Sequence, residues 1–412
     1  MSSHVLILGI PTADLVEDLN RAGYRVSLIE DTRKLQEHES VSGFSQVIKA
    51  DFDRFDSVRD AVGQLNTPVD AVISRYENYT VAKQQVCELL GLPTASADSI
   101  LASTDKLLQR KRFAEYAPEI TPAFTKITSV EEALSFAGIH GYPLISKPTN
   151  LVKSLLVKRS DTPEQLEQNI SDTLREISGL YNKYRVTGRE KNIILEQYLE
   201  GSFHSVECFM DSDRHVHFAP SAVDLVMGPQ IGFNDNFNYS RKLPSALSAE
   251  ETSLLFEAAG KAMKALDLVY FAGHVEAVMT ENGPRIIEVN SRVGGYRSRM
   301  FNWTNGINLN LAEATVAMGQ KPQLDPVKSG FCAVYEVFPK TPGTVTEITG
   351  IKDLRGTSAV RYISVKAEPG EYAGLSRDGY KAACVIIILT EDSGEFDTFC
   401  ARVEDTVHVL TS

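Results

Sequence analysis

Glu276, Glu288, Asn290 and Arg292 fall within one stretch, HVEAVMTENGPRIIEVNSRVGG, and their types suit joint binding of a divalent cation and an anion. HVEAVMT and RIIEVN read as short apolar strands interrupted by acid, with Asn282-Gly283-Pro284 as the turn between them. Side chains alternate along a strand, so Glu288, Asn290 and Arg292 share one face while Ile287 and Val289 take the other. A two-residue turn on Asn282-Gly283 would set Val289 opposite Glu276 and send the two glutamates to different faces. Pro284 cannot donate to a ladder and belongs in the loop. The spacing therefore predicts a three-residue loop, which pairs Glu276 with Asn290 and brings Glu288 onto the same face. Two carboxylates side by side repel unless a cation sits between them. Carboxylate and amide oxygens are ligands for Mg2+, which takes few protein groups and completes its shell with phosphate oxygens. Arg292 would aim a fixed fork at the same phosphates. The competing reading is an ordinary hairpin with a solvated face.

Two lysines could serve the same anion. Lys106 opens a helix after a small polar loop, and Lys147 ends the apolar strand PLISKP, where a compact point charge suits phosphate. The segment from Thr149 to Ser154 could form a flap over phosphate. IILEQYLEG offers backbone groups at a strand end that could hydrogen-bond a flat base. Tyr76 and Glu77 follow the strand VDAVIS, at the carboxyl end where open sheets bind ligands, and are candidate substrate contacts. His215 and His217 read as surface residues, and Trp303 as packing.

The elements that must position these residues alternate in type. HVLILGI, YRVSLIE and VDAVIS read as strands, with ADLVEDLNRAG and YTVAKQQVCELLG as helices ending at Gly23 and Gly91, which indicates a parallel sheet up to about residue 95. The turn after the first strand lacks GxGxxG, and Glu30 is half a dinucleotide signature, so a Rossmann-like lobe without NAD is expected. STDKLLQRKRFAEYA reads as a basic helix with Ser103 as its cap. SVEEALSFAG and TPEQLEQNISDTLREIS read as helices around strands YPLISKP, LLVKRS and KNIILEQYL. SVECFMDSDRHVHFAPSAV reads as a hairpin. SAEETSLLFEAAGKAMKALD is a helix with a Ser248 to Glu251 capping box and a core face on Leu255, Ala258, Ala259, Ala262, Met263 and Leu266. From Phe331 onward, short strands and glycine turns suggest a small β-rich lobe.

The chain has 412 residues, 43% hydrophobic and 23% charged, which suits a soluble protein of two to four lobes. A net charge of −12 argues against nucleic-acid or anionic-membrane partners. Five scattered cysteines without CxxC spacing fit a reducing cytoplasm, and neither a signal peptide nor a membrane span is expected.

Taken together, these residues resemble the ATP-grasp superfamily of carboxylate-amine ligases over nearly the whole chain, most specifically in HVEAVMTENGPRIIEVNSRVGG. The resemblance implies an α/β chain with α+β lobes. Residues 1–95 are expected as a Rossmann-like lobe and 96–200 as a linker helix and lid. Residues 201–330 are expected as a catalytic subdomain with a central antiparallel sheet, and 331–412 as a C-terminal β-rich lobe. It implies Glu276, Glu288 and Asn290 as ligands of Mg2+, with Mn2+ as an alternative. It also implies Lys106, Lys147 and Ser154 at the ATP phosphates, and Glu196, Gln197, Tyr198 and Leu199 along adenine. Arg292 would steady the acyl-phosphate intermediate. His204 would reach ribose or be structural. A homodimer is a superfamily expectation.

Within the superfamily the chain looks most like bacterial L-amino acid ligases that form dipeptides and related amides, including those of peptide-antibiotic pathways. SVECFM, carrying Glu207, and MGPQIGFND after Asp224 support this, since those ligases place the latter segment beside the acceptor substrate. Gly294 and Gly295 would border the carboxylates. One departure is the lid PTNLVKSLLV, which contains no glycine and would close with side chains such as Lys153. The rival readings are a superfamily member acting on bicarbonate, formate or a nucleotide precursor, an ATP-binding module without catalysis, and a nicotinamide oxidoreductase built on the first lobe.

Overall fold

A computed structural model describes residues 3–32, 42–151, 155–184, 186 and 189–412. The expected contacts of Lys153 and Ser154 lie outside the described residues. The first lobe is a four-stranded parallel sheet in the order Gln46–Ala50, Arg25–Asp31, His4–Leu8, Ala71–Ser74. HVLIL is buried along its whole length, as a strand covered on both faces must be. The turn after it packs closely under two tyrosine rings. Gly9 has φ +83°, and a Cβ there would lie 2.7 Å from the rings of Tyr76 and Tyr79. Glu30 is buried and accepts the Ile10 N–H, so its carboxylate serves the turn itself.

The second sheet is antiparallel, in the order Phe124–Ile127, Ile193–Gln197, Leu144–Pro148, Lys158–Ser160. Helices Val130–His140 and Pro163–Lys183 pack Phe136, Leu166 and Ile170 against its Leu144 and Leu195. Ile193–Gln197 is an interior strand, so most of its backbone groups are already paired.

The central sheet has nine strands, one of which, Val216–Phe218, pairs with Ser202–Met210 off the main path. It runs from Gly283–Asn290 at one edge through Phe271–Thr280, Ser202–Met210, Val223–Met227 and Asn238–Leu243. Phe331–Val337, Cys384–Thr390 and Val360–Val365 then continue the same sheet, because Asn238–Leu243 pairs antiparallel with Phe331–Val337. Residues past 331 are thus partly an extension of the central sheet. Only Gly343–Ile348, Tyr372–Ala373 and Val409–Thr411 form a small sheet of their own.

Helix Ala249–Leu266 begins at the Ser248 to Glu251 capping box and buries Leu255, Ala259, Ala262, Met263 and Leu266 on one face of the central sheet. Helices Arg297–Asn305 and Leu309–Ala317 cover the other face. The basic helix starts at Lys106 and is capped by Asp105, which accepts the Leu107 and Leu108 N–H groups at 2.9 and 3.0 Å. Ser103 instead closes the preceding helix, Ala97–Ser103, which corrects the cap expected there. An aspartate one residue before the first turn serves the free N–H groups better than a serine three residues before it. Among the described residues no helix is long and apolar enough to cross a membrane.

Candidate active site

The acidic hairpin reaches the expected result by a different register. Thr280 pairs with Gly283, so the turn residues are Glu281 and Asn282, and Pro284 lies within the edge strand. That pairing alone would place Ile287 opposite Glu276. A bulge after Glu276 inserts one residue, and Glu276 then stands directly opposite Glu288 while His274 faces Asn290. Pro284 is tolerated because its strand is an edge. Both glutamates and Asn290 line a cavity of about 470 Å3 between the three sheets.

The cations that neutralise this acid come from separate elements. Thr149 O accepts the Lys106 N–H at 3.0 Å, and Asn150 Nδ2 donates to Asp105 Oδ2 at 2.9 Å, which fastens the lid strand's exit to the start of the basic helix. Lys106 Nζ then lies 3.1 Å from Glu288 Oε2 and donates to Leu151 O at 3.2 Å. Asn290 Nδ2 donates to Glu288 Oε1 at 3.2 Å. Burial works to raise the Glu288 carboxyl, but Lys106, Lys147 and the Asn290 amide outweigh it and hold it down at about 2. Burial likewise works to lower Lys106, and Glu288, Glu77 and Glu276 raise it.

Lys147 is not a free charge. Its Nζ lies 2.7 Å from Glu196 Oε2, and Arg110 Nε lies 2.6 Å from Glu196 Oε1. Arg110 also donates to Ile287 O at 2.7 Å, which ties the lid hinge to the acidic hairpin. All three side chains are almost fully buried. Taking away Glu196 strands two buried cations, a change that costs about 3–5 kcal/mol when one partner of a buried pair is lost. Glu196→Gln is expected to lower stability by that amount in urea unfolding. A loss below about 1 kcal/mol would show the three charges to be solvated.

A second stability effect follows from Glu288. An unfolded glutamate titrates near about 4.3. The folded value of about 2 is lower, so the carboxylate stabilises the fold above the unfolded value and loses that contribution as pH falls toward about 2. The stability gap between wild type and Glu288→Gln should therefore shrink on acidification through this window. A gap independent of pH would contradict it.

Arg292 uses its fork on the first lobe. Nε donates to Glu77 Oε1 at 3.1 Å, Nη2 donates to the same oxygen, and Nη1 donates to Val293 O at 3.2 Å. Glu196, Gln197, Tyr198 and Leu199 all line the cavity. The Tyr198 N–H is spent on Pro143 O at 3.1 Å and the Gln197 N–H on Ala123 O at 3.0 Å. The Leu199 N–H makes no such bond among the described residues.

Five expected contacts lie off the cavity wall. His204 follows Phe203, which does line the cavity, and strand alternation turns it to the opposite face. There its Nδ1 meets Asp224 Oδ1 at 2.8 Å, and Ala246 N–H donates to Asp224 Oδ2 at 2.9 Å, so both side chains serve the sheet's far side. Glu207 is 1% exposed and lies under the end of the hairpin. It accepts the Gly294 N–H at 2.9 Å, bonds His274 Nδ1, and has Arg297 Nε at 3.6 Å. His274 Nε2 in turn meets Glu276 Oε1 at 3.1 Å, so Glu207 orients the glutamate indirectly. Gly294 is required for closeness: a Cβ there would lie 2.5 Å from His274 and 2.8 Å from Glu207. Gly295 borders no part of the cavity.

Sequence reasoning missed Arg110, Arg75 and the apolar walls Ile145, Phe203, Met227, Val278 and Ile287. Arg110 carried a signal, since it lies one helical turn after Lys106 on the same face. The cavity also takes Asn236, Phe237 and Asn238, which follow MGPQIGFND and lead into strand Asn238–Leu243.

An acidic strand pair, one lysine from the basic helix, another from the lid sheet and a hinge strand surround one cavity between three sheets, and residues 140–299 match the ATP-grasp domain family. That stretch of the chain therefore carries an ATP-grasp domain. It is 24% identical to human carnosine synthase 1 over 327 residues, 74% of this chain, and spans only 38% of that relative's length. An L-amino acid ligase from Bacillus licheniformis superposes with a TM-score of 0.79 at 18% identity, covering 100% of this chain and 99% of the other. Biotin carboxylase from Campylobacter jejuni gives 0.70 at 16% identity, covering 100% and 93%. Identities this low fix the fold and leave the substrates open.

Proposed function

We propose that this chain is an ATP- and Mg2+-dependent ligase that joins the carboxylate of an amino acid or related acid to an amine, in the first instance a second amino acid. The observation that carries the reading is the convergence of Lys106, Lys147, Glu276, Glu288, Asn290 and Arg292 on one cavity. Among the described residues no three His, Cys, Asp or Glu side chains could hold a metal by themselves. The donor set of two carboxylates and one amide thus fits a cation whose shell is completed by phosphate. Glu276, Glu288 and Asn290 would hold Mg2+, which supplies charge neutralisation of the phosphates when bound.

Ile145, Phe203, Val278 and Leu199 give the cavity apolar walls that would take the adenine ring, and Lys106 and Lys147 would meet the phosphates. An oxygen of the substrate carboxylate attacks the γ-phosphorus and the bond to ADP breaks, giving an acyl phosphate. The amine nitrogen then attacks the acyl carbon, the amide forms, and phosphate leaves with the oxygen that came from the carboxylate. The amine proton passes to solvent or phosphate. Positioning and charge neutralisation carry the catalysis. The likeness to the Bacillus L-amino acid ligase and to carnosine synthase 1 supports amide formation over carboxylation.

The test is a phosphate-release screen of the full chain with ATP, Mg2+ and pairs of amino acids, followed by mass spectrometry of the product. Amide mass in proportion to phosphate is the expected result. Phosphate release with bicarbonate and an amine but with no amino acid pair would favour the carboxylase reading.

A further inference from the structure

Arg75 leaves the carboxyl end of strand Ala71–Ser74 and lines the cavity with Tyr76, Glu77 and Asn78. Its guanidinium is held from one side only. Nη2 lies 3.2 Å from Glu313 Oε2 and donates to Asn310 Oδ1, both on helix Leu309–Ala317. Those partners are themselves fixed. Glu313 is 1% exposed, and Asn310 accepts from Ser298 Oγ at 2.8 Å and donates to Asp18 Oδ2 at 2.7 Å. Lys83, buried with its Nζ 3.6 Å from the centre of the Phe271 ring, looks toward the same Glu313.

Among the described residues, Nε and Nη1 of Arg75 make no hydrogen bond to the protein. Arg292, nearby, has spent Nε, Nη1 and Nη2. A guanidinium anchored through Nη2 alone keeps the N–H groups of Nε and Nη1, and each can donate a single charge-assisted hydrogen bond to a carboxylate oxygen in the cavity that Arg75 lines. The phosphate-facing lysines come from the basic helix and the lid sheet, whereas Arg75 enters from the first lobe. It therefore stands apart from the nucleotide's cations.

Resting on the ligase reading above, we propose that Arg75 binds a second, unreactive carboxylate of the substrate pair. The chain would thereby select a substrate that keeps a free carboxyl group beside the bond being made. That group is either the α-carboxylate of the amine-bearing amino acid or an additional carboxyl of the activated acid.

The test uses the full chain with a productive amino acid pair and replaces one partner at a time by its carboxamide at the unreactive carboxyl. In wild type, one replacement is expected to raise KM for that partner by about tenfold or more, since a site built to bind a group rejects the analogue lacking it. The arm that responds identifies the source. Arg75→Ala should raise KM for the intact partner by a similar factor and leave the carboxamide unchanged, so discrimination falls to about twofold. KM for ATP should stay within about twofold, because Lys106 and Lys147, on other elements, are the cations assigned to its phosphates. Arg75→Lys should recover part of the discrimination.

Arg75→Ala leaves Glu313 unpaired in the interior, so Arg75→Gln with Glu313→Gln repeats the test without a stranded charge. Variants that keep the wild-type discrimination would overturn the assignment alone. A wild type that treats acid and carboxamide alike in both arms would do the same. A wild type that forms no amide from any pair would overturn the ligase reading, and the assignment with it.

Discussion

Glu288→Gln should lower ATP-dependent phosphate release by about 100-fold or more, the scale seen when one charge-stabilising group leaves a preorganised site. The side chain is where three parts of the molecule meet. Lys106 arrives from the basic helix at 3.1 Å, the Asn290 amide from two residues along the strand at 3.2 Å, and Glu276 from the paired strand. Glutamine keeps the shape but removes the charge that a cation needs, and its single amide oxygen can accept from only one of the two donors, Lys106 and Asn290. The loss should appear as a Mg2+ requirement shifted to higher concentration together with a lower maximum rate, while the far-ultraviolet circular dichroism stays that of wild type. Turnover within about threefold of wild type would show that the hairpin is structural.

Arg292→Ala should be comparably damaging, by a different route. Removing the guanidinium takes away a cation that faces Glu276 and Glu207, and it strands Glu77, whose carboxylate takes two of its hydrogen bonds. Glu77 then adds a third negative charge beside Glu276 and Glu288, where phosphate must bind. We expect kcat to fall by about 100-fold and KM for ATP to rise as well. Pairing the change with Glu77→Gln should restore ATP affinity without restoring kcat, because the unpaired charge is gone but the fork is still missing. Full recovery of both constants in the double variant would mean that Arg292 only neutralises Glu77.

How much of this was legible depended on how local the cause was. The two strands of the hairpin followed from alternation, although the turn falls on Glu281-Asn282 and not on Asn282 to Pro284. The register did not, because nothing in the apolar pair Ile286-Ile287 marks the bulge that realigns the glutamates. Placing Pro284 in a loop assumed a strand paired on both sides, and the strand is an edge. From its position after the hinge His204 reads as either a ribose contact or a structural residue, and alternation from Phe203 turns it away from the cavity. Lys147 looked like a free charge because its partners Glu196 and Arg110 are distant in sequence. Arg75 was invisible for the same reason, since its meaning comes from Glu313 on a helix of another lobe. The continuity of the central sheet past residue 331 was likewise a matter of which strands pair, which alternating apolar runs do not disclose.

The central claim is that the cavity activates a carboxylate by transferring phosphate to it. The most direct measurement supplies the activated acid with its carboxylate labelled with 18O and analyses the released phosphate by mass spectrometry. One labelled oxygen in each phosphate, in step with amide formed, is the predicted result. Unlabelled phosphate accompanying amide would contradict it.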